Sequence, residues 1–202
     1  MAAAPCGSEA LERIERWSAE RGLVFLHDRE TGFGAVFSPC GSWRYLLWRI
    51  GRASAKLCGM GMLNPSTADH RRDDPTIRQC RARARQARLG GVLVWNLFAF
   101  RATLPADLKR ADDPVGPDND AAIRLALGLC RRTILGWGNH GAHLGRDRAV
   151  LALCERAGTR FDVLGITGTG QPRHPLYLPS ATRLRRWAPD LSSSPRKRGP
   201  SS

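Results

Sequence analysis

Four apolar stretches separated by helical patterns dominate the chain from residue 57 onward. The apolar stretches predict strands over residues 57–63, 92–95, 133–137 and 161–167. The helical patterns between them open at Asp74-Pro75, Asn119-Asp120 and Asp147. A helix between two strands returns the chain to its starting edge, so successive strands lie parallel. We therefore predict an α/β fold, a three-layer sandwich with a central, mostly parallel sheet.

The first 50 residues have a different pattern. The spacing of Leu11, Ile14 and Trp17 predicts an N-terminal helix over residues 8–21. Residues 23–27, 34–38 and 44–50 are separated by turn sequences, which predicts antiparallel strands. We expect a disordered N-terminus over residues 1–8, a single α/β domain over 9–189 and a disordered basic tail over 190–202. Residues 101–118, rich in Pro, Asp and Gly, are expected to form a loop.

The chain has a large excess of cationic side chains. Its formal net charge is +14 and its pI is about 11.0. Such a field attracts polyanions, and contacts with phosphates gain affinity by releasing counterions. Nucleic acid, with DNA favoured, is the expected partner. The alternative explanation is a genome rich in G and C, which favours arginine.

Six cysteines are spread along the chain without a Cys-x-x-Cys pair. This spacing is not typical of a zinc or iron–sulfur site, and we expect no metal and no cofactor. Reduced cysteines are typical of a cytoplasmic protein, which is the expected compartment. No apolar run approaches the roughly 20 residues of a membrane span, so we expect no association with membranes. The chain is also expected to be a monomer.

Polar sequences follow each of the four predicted strands of the parallel core. They are Asn64-Pro-Ser-Thr67, Asn96-Leu-Phe98, Gly136-Trp-Gly-Asn-His140 and His174-Pro-Leu-Tyr177. The carboxyl ends of parallel strands share one edge of a sheet, and open α/β sheets bind ligands at that edge. We therefore predict that these four sequences converge on one crevice.

These sequences resemble two families. Residues 63–69, 73–76, 96–103 and 170–177 are similar to a bacterial and phage domain family of unknown function. More remotely, Gly61-Met-Leu-Asn-Pro65, Val94-Trp-Asn96, residues 135–142 and His174-Pro175 resemble, in order and spacing, the uracil-DNA glycosylase superfamily. That second resemblance covers roughly residues 57–187. It implies an enzyme that takes a base out of the stack and cleaves its N-glycosidic bond.

The resemblance to glycosylases assigns roles to three residues. Asn64 matches the residue that positions the water, although an asparagine cannot take a proton, which implies slow turnover or a more labile base. Asn96 matches the amide that reads the base edge, and His174 matches the histidine that donates to the base as negative charge develops. Each residue also has a structural explanation, because Asn64-Pro65 is typical of a turn, Asn96 can close one, and His174 can bond to backbone.

Three aspartates stand close together in this basic chain. Asp74 is a good helix cap, and its neighbours can form ion pairs with arginines. The alternative is that Asp69 or Asp73 supplies the catalytic carboxylate that Asn64 lacks. Both are therefore carried as candidate catalytic residues.

The remaining candidates flank the motifs. A base would contact Pro65, Ser66, Phe98, Trp137 and Asn139, phosphates would contact Thr67, Arg78, Arg101 and Arg173, and Leu176 and Tyr177 would fill the place of a flipped base. Each group has a structural alternative. The aromatic rings and the two wedge candidates can belong to the core, and the arginines of the first predicted core helix can form a solvated face.

The expected function is a DNA glycosylase-like hydrolase that releases a modified or damaged base. The glycosylases' usual aromatic residue beyond the first motif has no clear equivalent, and Leu176 stands where they have a serine, which argues against uracil itself. Two alternatives remain open. One is an enzyme that processes free nucleosides or nucleotides in the same crevice, and the other is a non-catalytic nucleic-acid-binding protein.

Overall fold

The computed structural model describes residues 4–52 and 55–188. The predicted tail over residues 190–202 and the first three residues lie outside that range. The described helices are α1 (Gly7–Glu20), α2 (Pro75–Gln86), α3 (Pro105–Arg110), α4 (Asn119–Leu129) and α5 (Arg146–Arg156). The strands are β1 (Val24–Asp28), β2 (Phe33–Phe37), β3 (Arg44–Ile50), β4 (Leu57–Met62), β5 (Gly91–Asn96), β6 (Cys130–Leu135), β7 (Phe161–Val163) and β8 (Arg185–Trp187).

The predicted α/β fold is confirmed. The strands form one mixed sheet in the order β1-β2-β3-β5-β4-β6-β7-β8. The four central strands, β5, β4, β6 and β7, are parallel, whereas β1, β2 and β3 extend the sheet in antiparallel fashion on one side and β8 does so on the other. The chain passes from β4 to β5 on one side and then to β6 on the other. The order therefore reverses beside β4, which places a topological switch point there.

The two faces of the sheet are covered by different helices. In β4, Cys58, Met60 and Met62 pack with residues of α2, while Leu57 belongs to the core that holds α1, α4 and α5. This alternation is the period of two expected of a strand. Gly61 faces the same core as Leu57, where an added β-carbon would lie 2.6 Å from the ring of Trp95. The glycine is required because that indole occupies the space of a side chain.

Helix α2 begins where the sequence predicts. The Asp74 Oδ1 atom accepts a hydrogen bond of 2.8 Å from the Ile77 N–H, and Pro75 occupies the first turn. The cap satisfies one of the amides that a helix leaves unpaired at its N-terminus. The start of α2 is thereby fixed at the carboxyl edge of the parallel strands.

Several predicted boundaries were wrong. The expected loop over residues 101–118 contains α3. The sequence from Asn119-Asp120 predicts a helix through Arg131, but the helix ends at Leu129 and residues 130–131 open β6. Helix α1 begins at Gly7, one residue earlier than predicted. Strand β7 is shorter than predicted, because beyond it Ile166 pairs only with Pro172 in an isolated bridge. Strand β8 was missed because an edge strand with two exposed arginines lacks an apolar pattern.

All six cysteines lie in the described part of the chain, and each is a free thiol. Cys58, Cys80 and Cys154 are buried, and burial raises the pKa of the first and the last to about 12. These thiols therefore act as small apolar side chains. Among the described helices, none combines the length and the apolar character that crossing a membrane requires.

Candidate functional site

A cavity of about 600 Å³ opens at the carboxyl edge of the parallel strands, beside the switch point. We call it the carboxyl-edge cavity. Its walls come from the segments that follow β4, β5, β6 and β7 and from the first turn of α2. Of the predicted site residues, it brings together Asn64, Ser66, Thr67, Asn96, Trp137, Asn139, Arg173, His174, Leu176 and Tyr177.

The amide of Asn64 is held in one orientation. Its Nδ2 atom donates to the carbonyl of Ala102 at 2.6 Å and to that of Pro65 at 3.0 Å. An amide nitrogen has two hydrogens, so both are used, and Oδ1 is left as the acceptor. Asn64 therefore closes a loop, as the structural explanation has it, and it also lines the cavity with an oxygen that can accept a hydrogen bond from water.

Asn96 ends β5 with a buried side chain that has a free donor. The residue is 2% exposed, and its Nδ2 has no hydrogen-bond partner among the described residues. The turn after β5 is instead closed by Asn119, whose Nδ2 donates to the carbonyls of Asn96 and Leu97. A buried amide without a partner is costly unless a ligand satisfies it. Since Asn96 lines the cavity, the geometry favours a ligand contact over a role in the turn.

His174 is held as a neutral donor. Its Nδ1 accepts from the Leu176 N–H at 3.3 Å, which leaves the ring proton on Nε2. Burial lowers the pKa of His174 below 6.5, with Asp74 acting in the opposite direction. The imidazole is therefore uncharged at neutral pH, and its Nε2–H can donate to a ligand in the cavity. The loop approaches β6 closely because Gly136 leaves room for Pro175, which would lie 2.8 Å from an added β-carbon.

Trp137 forms a wall of the cavity. Its indole N–H donates to Gln171 Oε1 at 2.7 Å, and Gln171 in turn donates to Asp147 Oδ2 at 2.6 Å. The ring packs over Gly141, whose added β-carbon would lie 2.2 Å from it. Nearby, the Oδ1 atom of Asn139 accepts a hydrogen bond from the hydroxyl of Thr169. The indole is thus fixed from its nitrogen and from one face.

Sequence reasoning missed Arg44, which also lines the cavity. The residue is 2% exposed, its Nη1 donates to the carbonyl of Ala68, and its Nε has no partner among the described residues. Burial lowers its pKa to about 10, with the nearby Asp74 opposing that shift, so it is charged at neutral pH. The available signal was two arginines, Arg44 and Arg49, in a strand whose other residues are apolar.

Asp74 was predicted only as a helix cap, but it also lines the carboxyl-edge cavity. It is the only carboxylate among the described residues that line the cavity. Asp69 and Asp73 do not line it. The Asp69 carboxylate accepts from the backbone N–H groups of Arg71 and Arg72 at 2.7 and 2.8 Å, which closes a tight turn. The structure therefore does not bring either predicted carboxylate to Asn64.

Asp73 has a structural role instead. Its carboxylate pairs with Arg49 at 2.6 Å and with Arg81 at 2.7 Å. Arg78, predicted to contact phosphate, donates to the Asp73 carbonyl and lies outside the cavity. These contacts tie α2 to β3, which agrees with the ion-pair explanation of the acidic cluster.

Three more predicted residues lie outside the cavity lining. Phe98 and Pro65 are buried, and Phe98 packs in the core against the ring of His143. Arg101 stands over the ring of Phe37 and donates to the carbonyl of Gly41 at 3.1 Å. It borders a shallow groove that it shares with Ser66 and Thr67, so it lies beside the cavity rather than within it.

Within residues 4–52 and 55–188, no three His, Cys, Asp or Glu side chains cluster as metal ligands would. Residues 44–176, about two thirds of the chain, match the model of a protein family of unknown function, DUF1643. The chain belongs to this family. The matched segment begins at Arg44 and includes Asn64, Asn96 and His174, so the DUF1643 region carries the main polar groups of the cavity. No curated protein and no solved structure gave a match.

Proposed function

We propose that this protein is a DNA glycosylase-like hydrolase that releases a modified or damaged base. One observation carries the proposal. The carboxyl-edge cavity joins an oriented acceptor on Asn64, an unpartnered buried amide on Asn96 and a neutral imidazole donor on His174. The resemblance of the surrounding motifs to the uracil-DNA glycosylase superfamily supports the same reaction.

The proposed reaction breaks the bond between the sugar C1′ and the base nitrogen. The bonding electrons leave with the base, and His174 Nε2–H stabilises the negative charge by donating to a base oxygen. Asn96 contacts the polar edge of the base with its free amide. A water adds its oxygen to C1′, guided by Asn64 Oδ1. Because Asn64 cannot take the proton, that proton goes to the departing base or to solvent.

In this proposal Asp74 supplies the carboxylate that the sequence analysis assigned to Asp69 or Asp73. Its carboxylate supplies the negative charge of the cavity and so favours the positive charge that builds up on the sugar. One of its oxygens is engaged by the Ile77 N–H. This contact holds the carboxylate in place.

DNA is the proposed polymer because the chain has a net charge of +14 and because cations border the cavity. Arg173 and Thr67 lie on its rim, and Arg101 stands next to it. Tyr177 is 77% exposed at the same rim and is the better placed of the two wedge candidates. Its ring lies 5.4 Å from that of His174, so a wedge there would act beside the flipped base.

A mass-spectrometric screen for released bases tests the proposal. DNA pools containing modified bases are incubated with the full chain, with the Asn64→Ala/His174→Ala double variant, and with Arg160→Ala at the opposite edge of the sheet. We expect one free base and alkali-labile abasic sites from the wild type and Arg160→Ala, and neither from the double variant. Release by the double variant at the wild-type rate, or no released base from any pool, would refute the proposal.

A further inference from the structure

The buried arginines of this protein differ in how well their guanidinium groups are paired. Among the described residues they are Arg44, Arg49, Arg83 and Arg146. Arg49 and Arg146 each form an ion pair with an aspartate and also donate to backbone carbonyls. Arg83 donates to the Gln86 side chain and to four carbonyls between residues 178 and 182. Each of these three therefore has several acceptors within the protein, although the Nε of Arg83 has no partner among the described residues.

Arg44 has the fewest partners of the four. Like Arg83, it has no carboxylate within ion-pair distance among the described residues, but its hydrogen bonding is limited to the carbonyl of Ala68. Burying a charge without a partner is strongly unfavourable. The three well-paired arginines do not line the carboxyl-edge cavity, whereas Arg44 does. The missing partner of Arg44 is therefore expected to come from a ligand in that cavity.

The charges that face this cavity leave room for an anion. Arg44 and Arg173 are cationic and Asp74 is anionic, while burial lowers the pKa of His174 and keeps its ring neutral. One positive charge is left over, and of the two arginines only Arg44 is buried, where water solvates its charge poorly. A guanidinium presents a planar fork of N–H donors, which fits the paired oxygens of a phosphate or a carboxylate.

We propose that the substrate of the carboxyl-edge cavity carries an oxyanion group that pairs with Arg44. This inference rests on the proposed function only in that the same cavity holds the base. For a hydrolase of the N-glycosidic bond, the oxyanion has two sources. It is either a carboxylate attached to the base or the phosphate of a mononucleotide.

Titration calorimetry on the full chain tests the pairing without any cleavage. The first probe is inorganic phosphate at constant ionic strength, compared between the wild type, Arg44→Met and Arg29→Met. Arg44→Met keeps the side-chain volume but removes the charge, and Arg29→Met removes an exposed charge that lines neither the carboxyl-edge cavity nor the groove at the opposite edge. We expect Arg44→Met to weaken phosphate binding by about tenfold or more and Arg29→Met to leave it unchanged. Equal affinity of the wild type and Arg44→Met overturns the proposal.

Two further variants keep the test decisive if Arg44→Met fails to fold. Arg44→Lys retains the charge but lacks the fork of donors, so phosphate affinity falls. Asp74→Asn retains an oxygen that can cap α2 and removes the opposing charge, so affinity rises by about threefold or more. Unchanged affinity in both variants overturns the proposal.

Two nucleoside probes distinguish the sources of the oxyanion. One is a deoxynucleoside 5′-monophosphate, and the other is a deoxynucleoside with a carboxylate on its base and no phosphate. The probe whose binding depends on Arg44 identifies the source, and an uncharged nucleoside should bind the wild type and Arg44→Met equally. If no anionic probe binds the wild type, the proposal fails. Arg44-dependent binding together with a negative base-release screen would reject the glycosylase reaction but keep the anion site.

Discussion

The two edges of the parallel sheet carry openings of nearly equal size but opposite character. The carboxyl-edge cavity, of about 600 Å³, combines amides, a neutral imidazole, a buried arginine and an aspartate. At the opposite edge, a groove of about 620 Å³ has no carboxylate among its described lining residues. We call it the amino-edge groove, and its cations are Lys56, Arg124, Arg131, Arg132, Arg160 and Arg186.

The difference indicates which opening can hold a small ligand in one orientation. At the carboxyl edge, Asn96 and Arg44 are buried, and each has a donor without a partner among the described residues, while backbone contacts orient Asn64 and His174. Four of the arginines at the amino edge, Arg124, Arg131, Arg160 and Arg186, are exposed. Arg131 and Arg160 follow the C-terminal ends of α4 and α5, where cations interact favourably with the negative end of the helix dipole. A charged surface attracts a polyanion without orienting it, whereas an oriented site selects a chemical group.

The largest expected effect is on the rate of base release. Its absence would contradict the functional difference between the two edges of the sheet. His174→Ala should lower the single-turnover rate of base release by about 10²-fold or more, because a donor to the developing anion is lost. The matched variant Arg160→Ala, in the amino-edge groove, should keep the wild-type rate at saturating enzyme. Equal losses in both variants would mean that the two edges do not differ in function.

The next effect separates a charge kept for a ligand from charges that hold the fold. Arg49→Met should lower the free energy of unfolding by about 3 kcal/mol, because Asp73 loses its buried partner. Arg44→Met should leave it unchanged or raise it, since no carboxylate is deprived of its partner. Urea unfolding of both variants, without phosphate, measures the difference. A larger loss of unfolding free energy for Arg44→Met than for Arg49→Met would mean that Arg44 also holds the fold.

A smaller effect sharpens the description of the amino-edge groove. The double variant Arg131→Ala/Arg160→Ala should weaken binding to DNA of any sequence. The slope of log affinity against log salt should fall by about 1 for each phosphate contact that is removed. Arg44→Met serves as the matched control, because its buried charge is out of reach of a duplex surface. A salt slope that stays at the wild-type value would show that nucleic acid does not use this groove.

The smallest effect is on the pH dependence of stability. Burial lowers the pKa of His174 in the folded chain below 6.5, so the unfolded chain binds more protons once the pH falls below that value. The free energy of unfolding therefore decreases as the pH drops below 6.5, and protonation of Nδ1 also displaces the bond from the Leu176 N–H. His174→Asn should flatten this dependence in chemical unfolding measured across that range. An unchanged profile would mean that His174 titrates normally.

Local signals in the sequence were enough for the parallel core and for part of the site. Asp74-Pro75 marked the start of α2, and the ends of the apolar strands located Asn64, Asn96 and His174. These features depend on neighbours in sequence or on the rule that parallel strands end at one edge. The sequence therefore predicted which loops meet, and the cavity contains residues from all four.

The rest depended on contacts that short patterns do not encode. Arg44 reaches the cavity because β3 pairs with β5 and because its backbone N–H bonds to the carbonyl of Ala99, far away in sequence. Among the three neighbouring aspartates, a single turn closed by Asp69 decides that Asp74, and not Asp73, lines the cavity. Phe98 lies outside the cavity because the chain leaves the strand at Asn96, and beyond that point the ring packs in the core against His143.

The double attachment of Asn64 has a consequence for how this protein tolerates change. The Ala102 carbonyl receives the Asn64 amide, and the Ala102 N–H donates to the Pro65 carbonyl at 3.0 Å. Hydrogen bonds at Ala102 thereby connect the segment after β4 to the segment after β5. Insertions beyond residue 104, around α3, leave these hydrogen bonds in place and can change the shape of the entrance to the carboxyl-edge cavity. An insertion before Ala102 would separate its carbonyl from Asn64 Nδ2 and leave the side chain free to turn, so we expect tolerance of insertions to change between residues 102 and 104.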